Sequence, residues 1–155
     1  MESIRRITSF DVDHNKLKKG FYVSRRDGDI TTYDLRTRIP NSDNFMDNVT
    51  MHTVEHMFAT YIRNSEIADS VIYFGPMGCQ TGFYLLTRGL EDSVVFENVK
   101  KVLDKIISHT GEVFGKSAVE CGNYRSLELE CAKTECREYR KVLDSVKSFS
   151  YGEQI

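Results

Sequence analysis

No stretch of this 155-residue sequence approaches the roughly 18 consecutive apolar residues that a membrane-spanning helix requires. Residues 1–10 carry two arginines but no apolar core of a leader peptide, so the expectation is a cytoplasmic protein. A large charge imbalance is absent too: the net charge is -2, which gives no electrostatic case for binding nucleic acid or an anionic membrane. Arg25-Arg26 and Lys100-Lys101 then read as solvated surface. The four cysteines, Cys79, Cys121, Cys131 and Cys136, include no Cys-x-x-Cys pair, which argues against a closed structural site of four thiolates. Without an export signal they read as reduced thiols, free to ligate or react. No internal repeat, low-complexity tract or linker is present, so residues 1–155 are expected to form one domain. With 40% apolar and 28% charged residues, that domain has the balance of an ordinary globular protein.

The chain alternates between two hydrophobic periods. Phe21–Arg26 and Ile30–Arg36 flank Asp27-Gly28-Asp29, a hairpin signal in which Asp-Gly supplies a residue tolerant of positive φ. Polar turn residues over 40–48 lead into a helix at about Val49–Asn64, with Asp47, Asn48 or Thr50 available as its cap. Val71–Phe74 and Gly82–Thr87 read as two more strands joined by a Gly-Pro-Met-Gly-Cys turn. Residues 91–109 repeat apolar side chains at Val95, Val99, Val102, Leu103, Ile106 and Ile107, a helical stripe stopped by Gly111, and a third helix is expected over about 127–146. The string β-β-α-β-β-α-α predicts an α+β domain, plait-like, with helices on one face of a mainly antiparallel sheet. The other face then needs a cover, and a twofold homodimer is the expected one.

His52-Thr53-Val54-Glu55-His56 carries the strongest chemical signal. On a helix, positions 52, 55 and 56 fall within about 100° of one another and share a face. Val54, Met57, Phe58, Tyr61 and Ile62 take the opposite face. Two imidazoles one turn apart with a carboxylate between them suit a metal and a proton carrier, and a third ligand is expected elsewhere in the chain. Cys79 and Cys121, each in a Gly-flanked turn, are both candidates. The motif alone fits a metal-dependent hydrolase or peptidase, or a non-catalytic zinc-binding module, as well as a lyase.

Five separated motifs narrow the choice. Ser9-Phe10-Asp11-Val12-Asp13-His14-Asn15, Tyr33-Asp34-Leu35-Arg36 with Pro40-Asn41, His52–His56, Gly75-Pro76-Met77-Gly78-Cys79-Gln80-Thr81-Gly82-Phe83-Tyr84 and Glu120-Cys121-Gly122 occur in this order over nearly the whole chain. Together they closely resemble the LuxS family, the S-ribosylhomocysteine lyases. The resemblance implies one divalent metal held by His52, His56 and Cys121 with water in the fourth place, Fe(II) in the cell with Zn(II) as the alternative. It implies Cys79 and Glu55 as the acid/base pair, and Ser9, His14, Arg36 and Arg63 as substrate contacts, Arg63 toward the homocysteine portion. The implied reaction releases homocysteine and dihydroxypentanedione, the precursor of the quorum-sensing signal autoinducer-2, and so links the methyl cycle to signalling.

Two departures from the family pattern stand out. Many members have an acidic residue and a serine where this chain has Tyr73 and Gly75, so the acidic contact to the substrate amino group is missing. Where the family usually has a histidine after Cys121-Gly122, this chain has Leu127. Three further residues read as structural: His109 as a cation near a helix C-terminus, and Cys131 and Cys136, five residues apart on different helix faces, as filler.

Overall fold

The computed structural model describes residues 3–154. A hairpin comes first, β1 at Gly20–Asp27 and β2 at Ile30–Arg36, turning at Gly28 with φ of 61°. Helix α1 spans Asn48–Ile62, β3 Val71–Pro76, β4 Gly82–Arg88, α2 Asp92–Ile107, α3 Leu129–Leu143, and a last short turn of helix, α4, Tyr151–Gln154. The four strands form one antiparallel sheet in the order β1-β2-β4-β3. The expected α+β architecture is what the chain adopts. Its element boundaries fall within three residues of those expected, and no helix among the described residues is long and apolar enough to cross a membrane.

Strand alternation builds the core. Phe21, Tyr33, Leu35, Phe74, Phe83 and Leu85 leave one face of the sheet fully buried, and Val54, Met57, Phe58 and Ile62 of α1 meet them, with Phe58 stacked on Phe74 at 4.2 Å. The valine-rich stripe of α2 and Ala132, Cys136, Tyr139 and Leu143 of α3 complete the same core. Cys136 is thus core filler, as its spacing suggested, and burial pushes its thiol far above the ordinary range. Leu127 is buried in this core as well, so the position takes an apolar side chain here. The basic pairs are locally neutralised, Arg25 by Asp27, Arg26 by Asp92, Lys100 by Glu97 and Lys101 by Glu66.

The opposite face carries a different set of side chains. Cross-strand register aligns Tyr22, Asp34, Tyr84 and Gly75 in one row and Gly20, Arg36 and Gly82 in the next. Arg36 is therefore flanked by glycine on both neighbouring strands. Gly82 is also obligatory sterically, because a Cβ there would lie 2.6 Å from the Leu35 carbonyl oxygen. A groove on this face is lined by Ser24, Thr32, Tyr73, Tyr84 and Leu86, with Thr8 and Ser9 of the N-terminal segment at its margin.

Of the three candidate caps of α1, the fold uses Asp47, whose carboxylate accepts from the Thr50 amide at 2.7 Å. That amide bond, with a contact to the Thr50 hydroxyl, holds the Asp47 carboxyl below its ordinary value. Asp47→Ala is expected to lower stability by about 1 kcal/mol in denaturant titrations at neutral pH. Because the folded-state value is the depressed one, the capping contribution is full above the ordinary carboxylate range and disappears as pH falls through the folded value. The difference between the two proteins should therefore close in acid.

Candidate active site

Helix α1 delivers His52 and His56 on consecutive turns, their rings edge to face with centroids 4.7 Å apart. The long connection between α2 and α3 folds back over them. Nδ1–H of His52 donates to the Ser126 carbonyl at 2.9 Å, and Nδ1–H of His56 to the Phe114 carbonyl at 2.8 Å. A carbonyl can only accept, so both rings carry their proton on Nδ1 and keep the Nε2 lone pair for a ligand. Gly115 makes the second contact feasible: its φ is +70°, and a Cβ there would press to 3.1 Å from Nδ1 of His56.

The same connection brings in Cys121. Its sulfur lies 3.4 Å from Nε2 of His52 and accepts from the Asn123 amide at 3.4 Å. One ligand atom from each of His52, His56 and Cys121 fits within 4.8 Å of the others. This choice between the two candidate cysteines follows from the fold, since Cys79 sits elsewhere. The set of two nitrogens and one sulfur fits a single divalent metal, and three protein ligands are the number that a catalytic site supplies. Glu55 lies half-buried on the same helix, between the two histidines in sequence and outside this ligand group.

Cys79 occupies the β3–β4 turn and is exposed. The turn is held in an uncommon shape. Gln80 has φ of 65°, and is pinned there by Met46 N–H donating to its carbonyl at 3.0 Å and by its own Nε2 donating to the Met46 carbonyl at 2.8 Å. Around the sulfur stand the Thr81 hydroxyl at 3.0 Å and Nη1 of Arg36 at 3.8 Å. Arg36 itself is 3% exposed, far from the ordinary strand-end residue that its position alone suggested. It pairs in bidentate fashion with Asp34, Nε to Oδ1 at 3.1 Å and Nη2 to Oδ2 at 2.6 Å, and Nη1 donates to Thr81 at 2.8 Å.

The remaining expected contacts lie apart in the fold. Ser9 is half-buried at the margin of the groove on the outer face, and His14 bonds through Nδ1 to the Val12 carbonyl at 2.8 Å. Arg63 is exposed at the C-cap of α1, about 10 Å along the axis from His56, and donates to the Ile72 carbonyl at 3.2 Å. Tyr73 closes over Gly75: any Cβ at 75 would collide with the Tyr73 phenol. Tyr73 and Gly75 are thus one coupled change. His109 is structural, with Tyr61 donating to its Nδ1 at 2.7 Å and its Nε2–H donating to the Glu112 carbonyl at 3.0 Å. Cys131 lies beside Glu128, outside the ligand group.

Sequence reading missed Asp34, Thr81 and the two carbonyls that orient the imidazoles. Asp34 and Arg36 were reachable, since alternate strand residues share a face and Tyr33 and Leu35 claim the core one.

Comparison with known proteins agrees with this arrangement. The family model described as S-Ribosylhomocysteinase (LuxS) matches residues 7–149. A protein of Desulfotalea psychrophila named S-ribosylhomocysteine lyase is 45% identical over 157 aligned positions, which cover 96% of this chain and 99% of that protein. Proteins of the same name from Finegoldia magna and Borreliella afzelii are 41% and 40% identical, each covering 93% of this chain and at least 95% of the relative. A match of this length and identity, over a fold that assembles His52, His56 and Cys121 into one ligand group, means that the chain belongs to the LuxS family, the S-ribosylhomocysteinases.

Proposed function

We propose that this protein is an S-ribosylhomocysteine lyase that moves the ribose carbonyl along the sugar and then eliminates homocysteine, leaving dihydroxypentanedione. The observation that carries the reading is the pair of imidazoles whose Nδ1 protons are committed to backbone carbonyls while a cysteine sulfur closes the ligand set. The thioether sulfur is on C5 of the ribose. It can leave only when a carbonyl at C3 makes the C4 proton acidic, so the carbonyl must first travel from C1 through C2 to C3.

Each migration removes a proton from the carbon next to the carbonyl and returns one to the neighbouring carbon, with no net redox change. Cys79 is the base proposed for these carbon-bound protons, as an exposed thiol with the Arg36 guanidinium 3.8 Å from its sulfur. Glu55 is proposed to carry the hydroxyl protons or to take the C4 proton, after which the C5–S bond breaks and the sulfur leaves as the homocysteine thiolate, which takes up a proton to give the thiol. A divalent metal held by His52, His56 and Cys121 would supply Lewis-acid stabilisation of the enediolate charge that arises at each step. Ser9, His14 and Arg36 are proposed substrate contacts, and Arg63 the partner of the homocysteine carboxylate.

The metal proposed is Fe(II) in the cell, with Zn(II) able to fill the same nitrogen and sulfur ligands. A cytoplasmic homodimer of single-domain chains is proposed, supported by the half-exposed aromatic and aliphatic surface of Tyr73, Tyr84 and Leu86 on the sheet face away from the helices. The product would be the autoinducer-2 precursor, which ties the enzyme to quorum sensing and to the methyl cycle. Metal-replete, reduced protein incubated with S-ribosylhomocysteine should release one free thiol per substrate, read with a chromogenic disulfide. Absence of thiol release overturns the lyase reading.

A further inference from the structure

The C-terminal turn reaches a part of the molecule that the reaction uses. Tyr151 lies beyond residue 149, where the family match ends. Its phenol donates to Oδ2 of Asp34 at 2.7 Å, and its ring stacks on Tyr22 at 4.7 Å. The segment is anchored just before that point, because the Val23 amide donates to the Phe149 carbonyl at 2.8 Å and the Phe149 ring packs on Phe21 and Phe96.

Asp34 is fully buried, so each of its oxygens needs donors. Arg36 supplies one to Oδ1 and one to Oδ2, and Tyr151 is the second donor to Oδ2. The carboxylate plane fixes the guanidinium plane in a bidentate pair, and the guanidinium's remaining edge, Nη1, is the one directed at Thr81 and Cys79. The phenol also takes up part of the Asp34 charge. Less of the carboxylate's negative potential then offsets the positive potential of the guanidinium at the sulfur. We propose that Tyr151 is a positioning residue for the reaction, fixing the Asp34–Arg36 pair so that the guanidinium faces the Cys79 sulfur.

The surrounding groups leave this arrangement intact across the working pH range. Tyr22 and Tyr84 on the flanking strands, Tyr139 of α3 and Tyr151 itself are all shifted upward, first by burial and then by the Asp34 charge, Tyr22 to about 12. They stay neutral, and the Arg36 guanidinium, paired with Asp34, is the charged group that contacts the Cys79 sulfur.

The proposal rests on Cys79 being the working base, but its test does not require turnover. Full-length Tyr151→Phe keeps the ring on Tyr22 and removes only the hydroxyl, and a second variant ends at Ser150. Iodoacetamide alkylation of Cys79, followed by peptide mass spectrometry in the metal-loaded protein, should be roughly three- to tenfold slower than in the native chain at about pH 7 and should converge with it by about pH 9.5. If the native protein releases thiol, kcat at neutral pH should fall by the same factor, with KM and metal content unchanged. Alkylation profiles that coincide with the native one in both variants overturn the proposal. So does an equal change at every pH, which would mark a loss of packing alone. Failure of the lyase reading shows separately, as native protein that alkylates normally and releases no thiol.

Discussion

Cys79→Ala is expected to abolish thiol release from S-ribosylhomocysteine, by about 10³-fold or more, while the protein still binds one divalent metal per chain. The size follows from the work assigned to the thiol. A positioned acid/base group contributes about 10²–10⁴-fold to a single proton transfer. Two carbonyl migrations put several carbon-bound protons through the same side chain, so no route to the product bypasses the loss. Metal retention follows from geometry, because the partners of the Cys79 sulfur are Arg36 and Thr81, whereas the ligand group is His52, His56 and Cys121. The fold should also survive, since Cys79 is exposed and its turn is held by backbone bonds to Met77 and Met46. Metal analysis, thermal melting and the thiol assay on one preparation check all three outcomes. Retained turnover would favour a hydrolytic use of the His/Glu helix, in which a thiol in the β3–β4 turn has no part.

Much of this site could be read before any coordinates. The i, i+4 spacing of His52 and His56 survives into the structure because a helix fixes it, and Asp27-Gly28 fixes the hairpin in the same local way. The four strands and three long helices followed from their hydrophobic periods. What was not legible depends on segments without a period. The connection spanning residues 108–128 positions Cys121 and the carbonyls of Phe114 and Ser126, and nothing in its residue pattern shows that it returns to α1. Residues alone therefore left Cys79 and Cys121 equal as third ligand until the family resemblance separated them.

The Asp34–Arg36 pair illustrates a different limit. Alternation puts both side chains on the face opposite Tyr33 and Leu35, and a charged strand face ordinarily means solvent. Here Tyr22 and Tyr84 stand beside Asp34 and Tyr151 of the C-terminal turn reaches it, while glycines flank Arg36, and the pair is buried. A buried ion pair is weak evidence for stability, since desolvation offsets its attraction. Its position between Tyr151 and Cys79 accounts for it better as a device that aims one cation.

Removing the metal should cost the fold as well as the activity. A strong chelator is expected to bring thiol release to background and to lower the melting temperature by about 8–16 °C, both restored by Fe(II) or Zn(II) under reducing conditions. A ligand present at about 1,000 times its dissociation constant stabilises the folded state by about 4 kcal/mol, and for a domain of this size 1 kcal/mol corresponds to about 2–4 °C. The structural reason lies in what the ligands join. His52 and His56 belong to α1, and Cys121 to the connection between α2 and α3. Apart from the imidazole bonds to Phe114 and Ser126, the Tyr61 bond to His109, the contact of Cys121 with His52, the Glu128 amide bond to Thr53 and the Lys133 bond to the His109 carbonyl, the hydrogen bonds of this connection are mostly local. A metal would tie it to the helix at a third residue. His52→Ala should therefore show low activity and a melting temperature that no longer responds to chelator. A native protein whose melting temperature ignores the chelator while its activity falls would mean that α1 and the connection are held together without metal, which leaves the ligand set to chemistry alone.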